Sequence, residues 1–309
     1  MLLDLKESAQ FGMGPHGICI GATGSGKSEM LRTLVLALAM THSPEDLSMI
    51  LVDYKGGAAF SPFTDLPHLA GLIDNLADDP HLTERARASI QGEVVRRQQM
   101  LKDAGHLASI THYREARRQG ADLPPMPHLF VVIDEFGELL TAEPEFSELF
   151  LQIGRIGRSI GVHLLLSSQR IEAGKLRGLD TYLSYRICLR TFTEAESSTV
   201  IGAPDAFHLP ASPGYGYLKV DTSIYTRFRS GYVSGPVDDL DDESVPEDII
   251  EKEPLLLPVH NGLSEDLQAP SGEEEIPEGH SVRTTVIDVV VAQLRDAAPR
   301  PRPVWLDPL

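Results

Sequence analysis

Long apolar runs are missing from this 309-residue chain, as are clustered cysteines, metal-ligand histidine spacings and any basic stripe. Each absence removes a class. The longest apolar stretches, Leu34–Met40 and Leu129–Ile133, have the length of core elements, whereas a membrane-crossing helix needs about 20 such residues. The opening Met1–Lys6 lacks the charged n-region and cleavage site of a signal peptide. The two cysteines, Cys19 and Cys188, show no CxxC spacing and lie inside apolar runs. That argues against a disulfide framework or a thiolate metal site and for two buried thiols in a reducing compartment. Eleven histidines include no HxxxH or HxH pair, so a histidine metal centre is not expected.

The shortage of positive charge is local. The formal net charge is −18, but Val237–His280 holds fifteen acidic residues against Lys252 alone and carries −14 of it. The remaining −4 spreads over 265 residues, so the rest of the chain is nearly balanced. No cationic surface of the kind that tracks nucleic acid is legible.

Through about residue 190, short apolar runs alternate with helical segments. Strands are expected at 16–20, 49–53, 129–134, 162–167 and 186–190. Helices are expected at about 26–41, 83–104, 109–119, 145–159 and 194–201, with Thr83-Glu84 opening the second and Gly105 closing it. Strands apolar throughout and separated by helices indicate an α/β fold, a parallel sheet covered on both faces. Two Gly-Tyr-rich runs, 214–220 and 226–233, read as antiparallel edge strands. The composition changes at Gly235-Pro236. Residues 1–236 are expected to form one domain, and 237–309 an acidic, proline-rich linker leading to a truncated following domain, with one amphipathic segment at 284–298.

The chemistry begins at Gly21-Ala22-Thr23-Gly24-Ser25-Gly26-Lys27-Ser28, a GxxxxGK[ST] loop between an apolar strand and a helical run. In that setting successive backbone N–H groups wrap a phosphate at a helix N-terminus. Lys27 is expected on the β- and γ-phosphates, Ser28 on Mg²⁺, and Glu29 beside them, with ATP and Mg²⁺ as the ligands. Leu129–Ile133 ends in Asp134-Glu135, which places two carboxylates at the carboxyl edge of the sheet. Asp134 is expected to serve the metal and Glu135 to polarise the attacking water.

Gln169 follows another apolar strand and either senses the γ-phosphate or is an ordinary loop glutamine. Arg155 and Arg158 lie at the end of a helix whose earlier face is apolar. One of them either enters a neighbouring subunit's site or caps the helix. Asp53-Tyr54-Lys55 follows the second strand, and its lysine meets a phosphate or an acid or forms a solvated turn.

These motifs, together with LVDYKGG, VVIDEFGELL, GRIGRSIGVHLLLSSQR and LSYRICLRT in that order, resemble the FtsK/SpoIIIE family of hexameric motor ATPases. Within it, residues 1–236 are most similar to the first ATPase domain of the type VII secretion component EccC. The resemblance implies a RecA-like P-loop (ASCE) NTPase fold and Mg²⁺-dependent ATP hydrolysis, with low activity in an isolated domain. It implies Gln169 as sensor and Arg158 as a finger acting in trans. It further implies a homo-hexamer on the cytoplasmic face of a bacterial membrane. Implied partners are following ATPase domains of the same chain, secretion-complex membrane subunits, and WXG-type export substrates held through other domains. An FtsK-like DNA translocase shares the ATP site and is the alternative, as is a regulatory nucleotide module with little turnover. The charge balance favours protein over nucleic acid as the cargo.

Overall fold

The computed structural model describes residues 3–4, 12–56, 59–171, 176, 178–237, 284–296 and 299–304. The acidic stretch 238–283 and Trp305 therefore lie outside the described residues.

The apolar runs form an eight-stranded sheet: β1 (His16–Ile20), β2 (Leu47–Asp53), β3 (Leu69–Ile73), β4 (His128–Asp134), β5 (Val162–Ser168), β6 (Tyr185–Leu189), β7 (Tyr215–Val220) and β8 (Ile224–Arg229). Their order is β3-β2-β4-β5-β1-β6-β7-β8. The first six positions are parallel, and β7 and β8 extend the sheet in antiparallel fashion. β1 sits centrally, between β5 and β6.

Side chains alternate between the two faces, as the strand repeat of two requires. Leu129, Val131 and Ile133 of β4 join one core cluster, and Phe130 and Val132 join the other. The first cluster is covered by α2 (Pro80–Asp103), α3 (Ile110–Arg118), α4 (Phe136–Ala142), α5 (Phe146–Ile160) and α6 (Glu194–Ile201). The second is covered by α1 (Lys27–Thr41) and α7 (Val286–Arg295). Burial on both faces explains why the central strands read as unbroken apolar runs.

Several local expectations shift. α2 opens three residues before Thr83: Asp79 caps it by accepting the His81 N–H at 2.8 Å, with Pro80 in the first turn. Thr83 instead donates its hydroxyl to the Leu76 carbonyl at 2.9 Å. β3 was not expected, because a five-residue edge strand interrupted by Gly71 carries little pattern. The last strand is 224–229 rather than 226–233, set by a tight turn in which Asp221 takes a left-handed φ of 44°.

The amphipathic segment after the acidic stretch forms α7, opened by a reciprocal Thr285/Asp288 capping box. Its Ile287 and Val291 are buried in the second cluster. Thr285 bridges to Pro236, the Ile287 N–H reaches the Val233 carbonyl at 3.1 Å, and the Val304 N–H reaches Ala70 at 2.8 Å. Residues 284–296 and 299–304 thus lie against the sheet domain.

Gly161 ends α5 with φ of 69°, and a β-carbon there would stand 2.2 Å from Cδ1 of Ile110. Gly161→Ala is expected to lower unfolding stability by about 1–2 kcal/mol from the left-handed backbone alone. Displacement of Ile110 adds to that, and denaturant titration against the parent chain measures the sum.

Candidate nucleotide site

The loop after β1 is fixed from three directions. The Ala22 N–H donates to the Arg190 carbonyl at 2.8 Å, beyond β6, and the Gly21 N–H to Ser168 at 3.3 Å, at the end of β5. The Gly214 N–H donates to the Ser25 carbonyl at 2.8 Å. Gly26 has φ of 89°, and a β-carbon on it would meet the Gly214 nitrogen at 2.6 Å. Conformation and closeness both require glycine there. The loop backbone is therefore held by neighbouring strands before any ligand arrives.

Lys27, only 6% exposed, turns from the first turn of α1 onto Asp134, which ends β4, and Glu135, which follows it. Its ammonium is ion-paired with Asp134 and lies 2.9 Å from Glu135 Oε1. Burial works to lower the Lys27 pKa, but the two carboxylates outweigh it and hold the group above its ordinary value.

Glu135 adopts a left-handed backbone, φ 58° and ψ 37°, at the start of α4. Such a conformation costs a non-glycine residue about 1–3 kcal/mol and gathers at functional sites. Here it turns the carboxylate back toward Lys27. The Ser168 hydroxyl and the Gln169 N–H lie 3.5 and 3.4 Å from Glu135 Oε2. The Gln169 side chain accepts the Thr23 hydroxyl at 2.7 Å, joining the phosphate loop to the edge of β5.

A cleft of about 320 Å³ opens over this group, lined by Lys27, Ser28, Asp134, Glu135 and Gln169. Arg32, Asp53 and Lys55 also line it. Lys55 meets an acid, Glu138, at 2.6 Å. Asp53 is buried, and its carboxyl is pushed up by desolvation and by the neighbouring Asp134, against the pull of backbone N–H groups around it. Arg32 lies one helical turn beyond Ser28 and donates to the Ala59 carbonyl at 2.9 Å and to Ser234 Oγ at 2.8 Å.

Glu29, Arg155 and Arg158 do not line this cleft. The Glu29 carboxylate accepts the N–H groups of Val233 and Ser234 at 2.6 and 2.8 Å and the Ser234 hydroxyl at 2.7 Å. Glu29 thus ties α1 to the segment leading toward α7 and does not face the cleft. Arg158 and Arg155 are exposed near the end of α5, which leads into the start of β5. They lie at the sheet edge opposite the loop that follows β1.

The donor set fits a hydrated Mg²⁺ shared with phosphate oxygens. A serine hydroxyl and hard carboxylates converge on one cleft, while among the described residues no three histidine, cysteine or acidic groups form a complete metal cage.

A central β1 leading through a glycine loop into α1, with an acidic pair at the end of an adjacent parallel strand, defines a RecA-like P-loop nucleoside triphosphatase fold. The chain belongs to the FtsK/SpoIIIE family, whose model matches residues 1–173. It is 54% identical over 307 residues to the ESX secretion system protein EccC of Thermomonospora curvata, covering 99% of this chain and 23% of that protein. It is 46% identical over 313 residues to the ESX-4 secretion system protein EccC4 of Mycobacterium tuberculosis, covering 99% of this chain and 24% of the relative. Among solved structures, the cytoplasmic domain of the Thermomonospora curvata type VII secretion ATPase EccC superposes with a TM-score of 0.82 at 53% identity. That match covers 99% of this chain and 31% of the other. The chain thus spans about a quarter of the length of these curated relatives.

Proposed function

We propose that this chain is an ATP-binding and ATP-hydrolysing motor domain of a type VII protein secretion system, working with Mg²⁺ on the cytoplasmic face of the membrane. The observation that carries the reading is Lys27 closed onto Asp134 and Glu135 beneath a phosphate-binding loop. The relatedness to EccC proteins along nearly the whole chain supplies the secretion context.

In this reading the backbone N–H groups of Gly24 and of residues 26–28 face the β-phosphate, those of Gly21, Ala22 and Ser25 holding the loop's shape, and Lys27 exchanges its carboxylate partners for phosphate oxygens. Ser28 and Asp134 would hold a hydrated Mg²⁺, which would supply positive charge against the phosphates. Glu135 accepts a proton from the attacking water while the water oxygen bonds to the γ-phosphorus and the β–γ bridging bond breaks. Gln169, linked to Thr23 and through its N–H to Glu135, reports the state of the γ-phosphate to β5.

Arg158 completes a neighbouring copy's site in a homo-hexamer. Membrane subunits, following ATPase domains and WXG-type cargo are the remaining partners. Residues 1–236 carry the motor's site, α7 packs on the same sheet, and the rest of 237–309 connects it onward, with the isolated domain turning over slowly.

The assembly dependence is testable. Phosphate release per subunit is expected to rise with protein concentration. Arg158→Ala is expected to leave nucleotide affinity in place and lower the rate of the assembled form by about 10³-fold. An assembled Arg158→Ala protein hydrolysing at the parent rate would remove the finger from the scheme.

A further inference from the structure

β2 ends in Asp53 as β4 ends in Asp134, and the two are register partners on adjacent parallel strands. Both line the cleft. The two carboxylate oxygens of Asp53 have different surroundings. Oδ1 accepts the backbone N–H groups of Lys55 and Gly56, each at 3.1 Å, and so shapes the turn after β2. Among the described residues Oδ2 has no hydrogen-bond partner of good geometry, although the residue is only 2% exposed and the Ala59 N–H also acts on the carboxylate.

The cations nearby are engaged elsewhere. Lys55 is paired with Glu138, and Lys27 with Asp134 and Glu135. Leaving a buried polar atom unsatisfied is destabilising. An asparagine or serine would shape the same turn through one oxygen without bringing a second charge into the cleft. The turn therefore accounts for Oδ1 and leaves Oδ2 unexplained.

We infer that Asp53 is a positioning residue whose Oδ2 accepts a hydrogen bond from a water bound to the nucleotide's metal ion, steadying that hydrated ion against Ser28 and Asp134. The inference rests on the Mg²⁺–ATP reading above. Mg²⁺ retains several of its waters and takes few protein carboxylates directly. Groups that hold those waters orient the ion without touching it.

The test uses the full chain, with ATP and Mn²⁺ as the paramagnetic probe. Asp53→Asn preserves Oδ1 and the turn but replaces Oδ2 with an amide that cannot accept. Its ATP affinity in EDTA is expected to equal the parent's, while the Mn²⁺ concentration that half-saturates the ATP-loaded protein rises about 10–100-fold. Asp53→Ser, which keeps only a turn-shaping oxygen, is expected to behave alike and serves if the amide perturbs folding. Parent-like Mn²⁺ saturation in a variant that binds metal-free ATP normally overturns the role of Asp53. A parent chain whose ATP binding gains nothing from Mn²⁺ instead overturns the Mg²⁺–ATP reading, and this inference with it.

Discussion

Glu135→Gln is expected to bind ATP as tightly as the parent chain and to hydrolyse it about 10²–10⁴-fold more slowly, the span over which a positioned general base accelerates reactions. The substitution is nearly isosteric. An amide oxygen can still accept from Lys27, which lies 2.9 Å from the present carboxylate, and can remain near the Ser168 hydroxyl and the Gln169 N–H. The left-handed backbone at 135 asks no more of glutamine than of glutamate. What disappears is the basic oxygen pair. Stopped-flow binding of a fluorescent ATP analogue beside a phosphate-release assay separates the two effects. Parent-like hydrolysis by this variant would show that the proton goes elsewhere. Loss of binding would show that the charge of Glu135 matters for holding Lys27 rather than for chemistry.

That experiment turns on a geometry no sequence pattern contains. The Asp134-Glu135 pair is legible because an apolar run ends in it, but adjacent strand residues face opposite sides. It is the left-handed turn at 135 that returns the second carboxylate to the same cleft as the first. The parallel core was legible for a related reason: strands buried on both faces read as continuous apolar runs, as β1, β4 and β5 do. β3, half-buried and short, carries no such signal, and α4 hides behind the motif it follows.

Glu29 shows the converse error. It adjoins the phosphate loop in sequence, yet each helical residue turns about 100° from the last, and its partners Val233 and Ser234 lie more than 200 positions away. Asp53 was within reach. Leu51-Val52-Asp53 repeats the apolar-then-acid ending of Val132-Ile133-Asp134, and register pairing places the two acids side by side.

Lys27→Ala is expected to remove measurable ATP binding and to destabilise the ligand-free domain as well. Two charge-assisted hydrogen bonds to phosphate oxygens, at about 1.5–3 kcal/mol each, correspond to roughly 10²–10⁴-fold in affinity. The second effect follows from the resting pairing. Asp134 and Glu135 are 5% and 4% exposed, and without the ammonium they share a buried cleft with Asp53. Removing one partner from a buried ion pair costs about 3–5 kcal/mol when the remaining charge has no other compensation. Denaturant unfolding without nucleotide measures that loss, and a thermal-shift series with ATP measures the binding, because a ligand that no longer binds no longer raises the midpoint. Lys27→Ala combined with Asp134→Asn separates the causes. Neutralising one carboxylate is expected to restore much of the stability while leaving ATP unbound, because the phosphates still lack their cation. A single Lys27→Ala variant with parent stability would mean that the acidic pair is well hydrated in the empty site and that Lys27 serves the nucleotide alone.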